Sequence, residues 1–284
     1  MSGIEDILSQ INYLPPFPLT VTRVLQMLRD PHVKTDDLVG VVKFDQAIAT
    51  HVLKLCNSSF FGLRRPITNL RDAVVYIGLS NLKKIIIISG TRQYFEKQQS
   101  AYELKKGELW RHAIAVSILA EKLNNMIDGA PIDDVYISGL LHDVGKLVLS
   151  KFVMEVSEEM THMVEQRGIS FLEAEKTVLG IDHAEVGAKI LDKWKFSEEI
   201  ISSVKKHHMP LDEDDSVLVN IVRLSNSLAM MMGYATSING YSYPGLPDTC
   251  CKYGITQESL ENIMAVSLEE IKTVESDFGL PAET

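Results

Sequence analysis

The stretch Gly139-Leu140-Leu141-His142-Asp143-Val144-Gly145-Lys146 decides how the rest of the sequence is interpreted. An apolar segment leads directly into a histidine beside an aspartate, and a glycine and a lysine follow. Imidazole and carboxylate are borderline or hard ligands, which suit Fe, Mn, Zn or Mg better than a site for soft metals. The pair alone proves little, so its meaning depends on the other histidines of the chain.

Five of the eight histidines lie on or at the ends of four predicted apolar helices: His112, His142, His183, His207 and His208. Each of them alone is compatible with an ordinary core histidine. A buried imidazole nevertheless needs a partner, because leaving its polar nitrogens without one costs free energy. The joint pattern therefore predicts a site for one or two divalent transition metal ions, Fe, Mn or Zn, with ligands gathered from several helices.

This arrangement resembles the HD superfamily of metal-dependent phosphohydrolases, and its layout is similar to the HD-GYP branch and to the HDOD domain, the HD-related output domain. The residues that match the HD-GYP order and approximate spacing are Glu108, His112, His142, Asp143, Lys146, His183, His207 and His208. Two features of that pattern are missing. Asn226 stands where the final acid is expected, and Met209-Pro210-Leu211 follows the double histidine in place of a Gly-Tyr-Pro signature.

The first third of the chain also resembles the HDOD pattern. The matching stretches are Leu14-Pro15-Pro16-Phe17-Pro18, residues 44–58 and residues 73–78. Gln46 departs from the proline that usually follows the aspartate, and Asn57 and Ser58 match at positions that suggest a structural or partner-contact role. Plain HD and HD-GYP enzymes lack this segment, so it favours the HDOD family, with a resemblance that covers roughly residues 10–230.

The resemblance implies roles for individual residues. The implied metal ligands are His112, His142, Asp143, His183, His207 and His208, with Glu108 and Asn226 as weaker candidates. Lys146 has two interpretations: it contacts a phosphate group if the protein is an active enzyme, or it is a solvated lysine that follows a helix end. Asn226 offers a neutral amide oxygen in place of a carboxylate, which should weaken cation binding at a two-metal site.

Three functional hypotheses follow. HDOD-type proteins are regarded as signalling or regulatory output modules, so the resemblance implies a regulatory protein that keeps an HD-type metal site and has little or no catalytic activity. The alternative is an active metal-dependent phosphohydrolase or phosphodiesterase acting on a nucleotide or a cyclic dinucleotide, although the missing Gly-Tyr-Pro signature speaks against cyclic di-GMP. In the third, the protein binds partners without a metal, and its histidines hydrogen-bond to one another.

The fold is predicted to be all-α, because capping residues precede successive segments of helical period and no paired strand signals occur. The predicted caps include Asp45, Thr68, Ser170, Asp182 and Ser197, a helix is expected to end at Gly78, and another is expected from Val153 to Arg167. We expect an N-terminal helical bundle over residues 1–98 packed on an HD-like helical bundle over residues 99–284, divided within the polar stretch 97–106. The β-branched run Ile85-Ile86-Ile87-Ile88 is predicted to be a buried helix. Residues 233–254, which are rich in Gly, Tyr and Pro, are predicted to be an irregular connection.

Composition limits the partners. The chain of 284 residues has a formal net charge of −10, which argues against nucleic acid, since binding to its backbone relies on many Lys and Arg contacts. Signalling proteins or a phosphate-bearing small molecule are compatible partners. Three cysteines without disulfide or metal spacing indicate a cytoplasmic protein. The longest apolar stretch, 85–88, is far shorter than the roughly 20 residues that span a bilayer, so we expect no membrane association.

Overall fold

The amphipathic segments of the sequence fold as α-helices in the computed structural model, which describes residues 3–28, 30, 32–57, 65–95, 102, 105, 107–127, 129–234 and 246–278. Within these ranges no β-strand occurs, and the predicted all-α fold is confirmed. The helices are α1 Ile4–Tyr13, α2 Leu19–Leu28, α3 Thr35–Val42, α4 Gln46–Cys56, α5 Leu70–Phe95, α6 Glu108–Ile127, α7 Ile132–Leu141, α8 Lys146–Glu155, α9 Ser157–Arg167, α10 Phe171–Leu179, α11 His183–Lys193, α12 Glu198–Lys206, α13 Val217–Met231, α14 Leu246–Tyr253 and α15 Gln257–Asp277.

Side-chain caps fix the starts of several helices. Four predicted caps are confirmed, since the side-chain oxygen of each accepts a hydrogen bond from a backbone N–H in the first turn: Asp45, Ser170, Asp182 and Ser197. The expected cap of α5, Thr68, is wrong. Asn69 takes this place, because its Oδ1 accepts from the backbone N–H of Asp72 at 2.9 Å.

The chain divides into two compact units. The site unit comprises the described residues of Met1–Leu14 and Phe95–Ile271, and the N-terminal unit comprises those of Pro15–Tyr94 and Lys272–Thr284. The predicted division between residues 98 and 99 lies outside the described residues. The sequence placed residues 1–14 in the N-terminal bundle and residues 272–284 in the HD-like bundle. In the structure, the described residues of 1–14 belong to the site unit and those of 272–284 to the N-terminal unit. Within the site unit, the Nζ of Lys193 donates to the carbonyls of Ile11, Asn12 and Leu14, which ties the end of α1 to α11.

In the N-terminal unit, α5 is broken at Gly78, whose φ of 77° and ψ of 165° are not helical. The break lies where the sequence predicted a helix to end. The run 85–88 is helical and buried, as predicted. With 26 residues, α5 is long and apolar enough to cross a membrane by length and composition, and 61% of its most apolar window is buried inside the protein.

Asn57 closes a loop in the same unit. Its Nδ2 donates to the carbonyl of Ile67 at 2.8 Å, and its Oδ1 accepts from the N–H of Ile67 at 2.7 Å. These two bonds account for Asn57 as a structural residue. Ser58, which the sequence analysis paired with it, lies outside the described residues.

In the site unit, α6 lies at the centre and packs against α7 and α13, and α12 packs against α11 and α13. Every side chain from Leu109 to Ala120 is buried, so α6 is enclosed on all its faces over these residues. The prediction that residues 233–254 are irregular is wrong for their last third, which forms α14. Pro247 is tolerated there because it stands in the first turn, where its missing N–H has no intrahelical partner to lose.

Candidate metal centre

Four helices deliver five histidines to one place in the site unit. His112 lies on α6, His142 follows the last residue of α7, and His183 is the first residue of α11. His207 and His208 follow the end of α12. The structure therefore brings together all five histidines that the sequence singled out, from helices that lie up to about a hundred residues apart in the chain.

Two glycines allow these elements to approach closely. A Cβ atom added at Gly139 on α7 would lie 2.8 Å from the Cα of Ser117 on α6. A Cβ added at Gly145 would lie 1.9 Å from the carbonyl oxygen of His183. Only glycine permits backbones to approach so closely. The turn that carries His142 and Asp143 is thereby held between α6 and the start of α11.

Asp143 lies at the centre of the cluster. Its Oδ1 is 3.3 Å from the Nε2 of His183 and 3.8 Å from the Nε2 of His207. Its Oδ2 is 3.5 Å from the Nε2 of His142 and 3.8 Å from the Nε2 of His112. The carboxylate thus has one oxygen toward each of two sets of imidazoles.

These sets form two groups whose ligand atoms lie within 4.8 Å of one another. The His183 group consists of Asp143, His183, His207 and His208, and the His112 group consists of His112, His142 and Asp143. Asp143 belongs to both. Each group offers the imidazole and carboxylate ligands that divalent transition metals bind.

Backbone carbonyls orient three of the imidazole rings by accepting a hydrogen bond from the ring nitrogen that points away from the cluster. The Nδ1 of His142 donates to the carbonyl of Gly139 at 2.7 Å, and the Nδ1 of His207 donates to the carbonyl of Val204 at 2.6 Å. The Nδ1 of His112 donates to the carbonyl of Tyr234. Because a carbonyl only accepts, each Nδ1 carries the hydrogen, and each Nε2 presents a lone pair to the interior of the cluster.

Two of these lone pairs face each other. The Nε2 atoms of His112 and His142 are 3.1 Å apart, and neither has a hydrogen to donate. Burial, followed by the proximity of His142, lowers the pKa of His112 to about 3, so His112 itself is neutral at neutral pH. The Nε2 of His207 is buried without a hydrogen-bond partner among the described residues. A metal cation would satisfy all three nitrogens, so the residues present fit one.

His183 is held by a carboxylate instead of a carbonyl. The Oε2 of Glu175, on α10, accepts from the Nδ1 of His183 at 2.7 Å and from its backbone N–H at 2.8 Å. The hydroxyl of Tyr102 donates to the other oxygen, Oε1, at 2.7 Å. Both Glu175 and Tyr102 are buried. On the opposite side of the His183 ring from Glu175, the Nε2 of His183 is 3.1 Å from the Nε2 of His208.

Glu175 and Tyr102 were not among the site residues predicted from the sequence. A signal for Glu175 was present, because Phe171, Glu175 and Leu179 share a four-residue spacing that places an acid on the apolar face of α10. An acid on such a face needs a buried partner. Tyr102 has no comparable signal, since it precedes α6 in a stretch without helical period.

Lys146 is buried beside Asp143, with its side chain 4% exposed and its Nζ donating to Oδ2 at 2.7 Å. The interpretation of Lys146 as a solvated lysine is therefore wrong. Burial raises the pKa of Asp143, but the surrounding charges and hydrogen bonds, with the Lys146 ammonium first among them, outweigh burial and hold the pKa well below its usual range. The carboxylate is consequently ionised at the centre of the cluster.

The two weaker candidates have different positions. Asn226, on α13, is buried in the cluster, with its Oδ1 3.0 Å from the Nε2 of His112. Glu108 begins α6 and lies outside both groups. Its Oε2 accepts from the backbone N–H of Lys105 at 2.7 Å, so it holds the chain just before the helix that carries His112.

The cluster is closed to solvent over most of its surface. Among the described residues of the two groups, His208 alone is partly exposed, and the others are buried. Structural metal sites are typically closed in this way, whereas catalytic sites keep an open ligand position.

The sequence pattern of the HDOD domain matches residues 14–210 of the chain. Among curated proteins, one from Treponema pallidum (strain Nichols), described only as an uncharacterized protein, is 27% identical over 224 residues. That match covers 78% of this chain and 43% of the other protein, so the chain spans less than half the length of this relative.

Three solved structures share the fold. An HDOD domain protein with unknown function from Geobacter sulfurreducens is 25% identical, with a TM-score of 0.73 and coverage of 98% of this chain and 95% of that one. A candidate phosphohydrolase from Shewanella amazonensis SB2B is 20% identical, with a TM-score of 0.72 and coverage of 97% and 98%. A candidate signal transduction protein from Marinobacter aquaeolei VT8 is 21% identical, with a TM-score of 0.75 and coverage of 99% and 61%.

Proposed function

The chain belongs to the HDOD domain family, and from this premise we propose that it is a regulatory protein whose buried histidine cluster binds one or two divalent metal ions, Fe, Mn or Zn, with little or no catalytic activity. The observation that carries the proposal is the pair of facing lone pairs on His112 and His142, 3.1 Å apart. Two neutral imidazoles do not settle at this distance without a shared cation or proton. A metal ion fits this position, because the donors around it are imidazole nitrogens and a carboxylate oxygen.

Each group would hold one ion, and Asp143 would be a ligand in both groups. The His183 group supplies three imidazoles and one carboxylate, the number of ligands that a tetrahedral metal site requires. The His112 group supplies two imidazoles, the shared carboxylate and the amide oxygen of Asn226. When bound, the metal would supply positive charge that polarises a phosphoryl oxygen or a water.

Three features favour regulation over catalysis. All proposed ligands except the partly exposed His208 are buried, so a nucleotide has no wide access to them through the described residues. Asn226 offers a dipole where a two-metal hydrolase would use a charged carboxylate. The ammonium group of Lys146 is already hydrogen-bonded to Asp143, which opposes the role of a phosphate contact.

One observation favours the alternative, an active metal-dependent phosphohydrolase. A single carboxylate that belongs to two ligand groups is the arrangement with which a protein holds two metal ions close together, as two-metal hydrolysis requires. The substrate would then be a nucleotide or a cyclic dinucleotide. Signalling partners and a cytoplasmic location are predictions from the sequence that this proposal retains.

Metal content tests the proposal directly. We expect purified protein to carry at least one equivalent of a transition metal by elemental analysis, and His142→Ala and His183→Ala to reduce that content strongly. His162→Ala is the matched control, because His162 is exposed on α9 and should leave the content unchanged. Metal that stays stoichiometric in both cluster variants would show that these histidines are not its ligands.

Activity separates the two functions. We expect wild-type protein loaded with Mn or Fe to hydrolyse a panel of nucleotides and cyclic dinucleotides at a rate no higher than His142→Ala. Robust wild-type turnover that disappears in His142→Ala would overturn the regulatory proposal and support the phosphohydrolase.

A further inference from the structure

His183 differs from His112, His142 and His207 in what holds its Nδ1. The other three donate to backbone carbonyls, which are neutral. His183 donates to the carboxylate of Glu175, and the same oxygen also accepts from its backbone N–H. One oxygen therefore fixes both the start of α11 and the plane of the imidazole ring.

Glu175 is itself held from the other side. Its remaining oxygen accepts a hydrogen bond from the hydroxyl of Tyr102, whose ring lies 5.7 Å from the Nζ of Lys146. The carboxylate has 0% of its surface exposed, and a buried acid of this kind is stable only when its oxygens are paired. The order along the chain of hydrogen bonds is Tyr102, Glu175, His183.

We propose that Glu175 is a positioning residue that holds His183 in its Nδ1–H tautomer and strengthens metal binding by the His183 group, and that Tyr102 orients Glu175. This inference rests on the proposed metal binding. The physical reason is that a carboxylate that accepts from Nδ1–H fixes the ring and increases the electron density on Nε2, which makes it a stronger ligand. Neither Glu175 nor Tyr102 would touch the metal.

Zn²⁺ affinity, measured by competition with a chelator, tests the effect of the charge. Glu175→Gln keeps the shape and can still accept from His183, but it removes the negative charge. We expect the tightest Zn²⁺ to bind about 10- to 100-fold more weakly in this variant, the range found for partners behind metal ligands. Glu173→Gln is the matched control, because Glu173 is exposed on the same helix, and its Zn²⁺ affinity should equal that of wild type.

The tautomer is measured without metal. In metal-free protein with ¹⁵N-labelled histidine, the imidazole shifts of wild type should show His183 with its hydrogen on Nδ1. Glu175→Leu removes the acceptor, so the Nε2–H form of His183 should become populated. His142 and His207 are internal controls, since their carbonyl partners are untouched.

A purely structural role predicts a different result. If Glu175→Gln and Tyr102→Phe lower the resistance to urea but bind Zn²⁺ within threefold of wild type, Glu175 does not act on the metal and the inference is overturned. If wild type binds no Zn²⁺, the proposed function fails. In that event the ¹⁵N shifts of Glu175→Leu still decide whether Glu175 sets the tautomer of His183.

Discussion

The His183 group and the His112 group share the carboxylate of Asp143 but are held in place by different chemical groups. Behind His183 lies an ionisable carboxylate, Glu175, whereas behind His112 and His142 lie neutral backbone carbonyls. At the front of the His112 group stands the amide of Asn226. A cation in the His183 group therefore meets more negative charge, and we expect that group to bind its metal first.

Removal of the shared carboxylate should abolish the difference between the groups. Asp143→Asn takes the only charged ligand from both, so we expect Zn²⁺ affinity to fall more than 100-fold by chelator competition. The variant also leaves Lys146 buried without its counter-charge, which costs about 3–5 kcal/mol of unfolding free energy in urea. Adding Lys146→Met should recover part of the stability but none of the metal binding.

Asp192→Asn is the control for this prediction, because Asp192 is exposed on α11 and belongs to neither group. We expect it to match wild type in both measurements. If Asp143→Asn kept metal in one group, Asp143 would not be shared.

An alanine at Gly145 should weaken metal binding mainly in the His183 group, and an alanine at Gly139 should weaken it mainly in the His112 group. Gly145→Ala forces a Cβ against the carbonyl of His183, and we expect a loss of about 3 kcal/mol in unfolding free energy, with weaker Zn²⁺ binding by the His183 group. Gly139→Ala pushes α7 away from α6, and we expect a loss of about 2 kcal/mol with the effect on the His112 group. Urea unfolding and metal titration measure both.

Gly40→Ala is the matched control, because a Cβ at Gly40 on α3 meets no atom within 4 Å. Since alanine is a better helix former than glycine, this variant should be neutral or slightly stabilised. Equal metal titrations for Gly145→Ala and Gly139→Ala would contradict the assignment of one glycine to each group.

Acid should destabilise the metal-free protein through the His112 group. His112 has a pKa of about 3 in the folded protein and about 6.5 when unfolded, so between these values the unfolded chain binds a proton that the folded chain does not. Stability is therefore full above pH 6.5 and falls as the pH is lowered. We expect His112 to contribute about 2 kcal/mol of this loss by pH 5.

The measurement is urea unfolding at pH 7 and pH 5 for wild type and His112→Gln. Wild type should lose about 2 kcal/mol more than the variant over this interval, because glutamine does not titrate. Other buried histidines contribute equally to both proteins. Parallel losses in the two proteins would show that His112 is not held neutral.

A carboxylate in the His112 group should make the two groups more alike. Asn226→Asp supplies a charge beside His112, and we expect the second metal ion to bind about tenfold more tightly, a gain of about 1.4 kcal/mol. Isothermal titration of Zn²⁺ into wild type and variant measures it. Asn124→Asp is the control, because Asn124 lies on α6 and is hydrogen-bonded to Ala130, outside both groups. An unchanged second affinity in Asn226→Asp would place Asn226 outside the ligand set.

Local patterns in the sequence were sufficient for most of the helices. Asp45, Ser170, Asp182 and Ser197 cap the helices they were expected to cap, because a cap and its N–H donor lie within three residues of each other. The same reasoning failed for α14, where residues typical of turns precede a short helix. It also predicted a helix from Val153 to Arg167, whereas α8 continues to Glu155 and α9 begins only at Ser157.

The residues of the site came from family resemblance and their surroundings from the structure. The order of the histidines along the chain identified all five that meet in the cluster. The roles of Lys146 and Glu108 were uncertain from the sequence. Only the structure showed that Lys146 is buried against Asp143 and that Glu108 binds the backbone of Lys105 just before α6.

The sequence by itself determined most of the helices and four of their caps, since these depend on neighbours three or four residues away. The order of the histidines along the chain supplied the ligand candidates through the family resemblance. Only the tertiary structure decided that Asp143 is shared by two groups, that Glu175 lies behind His183 and that Gly145 touches the start of α11. The physical reason is range. His112 and Asn226 are 114 positions apart, and even Glu175 and His183, eight positions apart, lie on different helices, so such contacts exist only after the helices have packed.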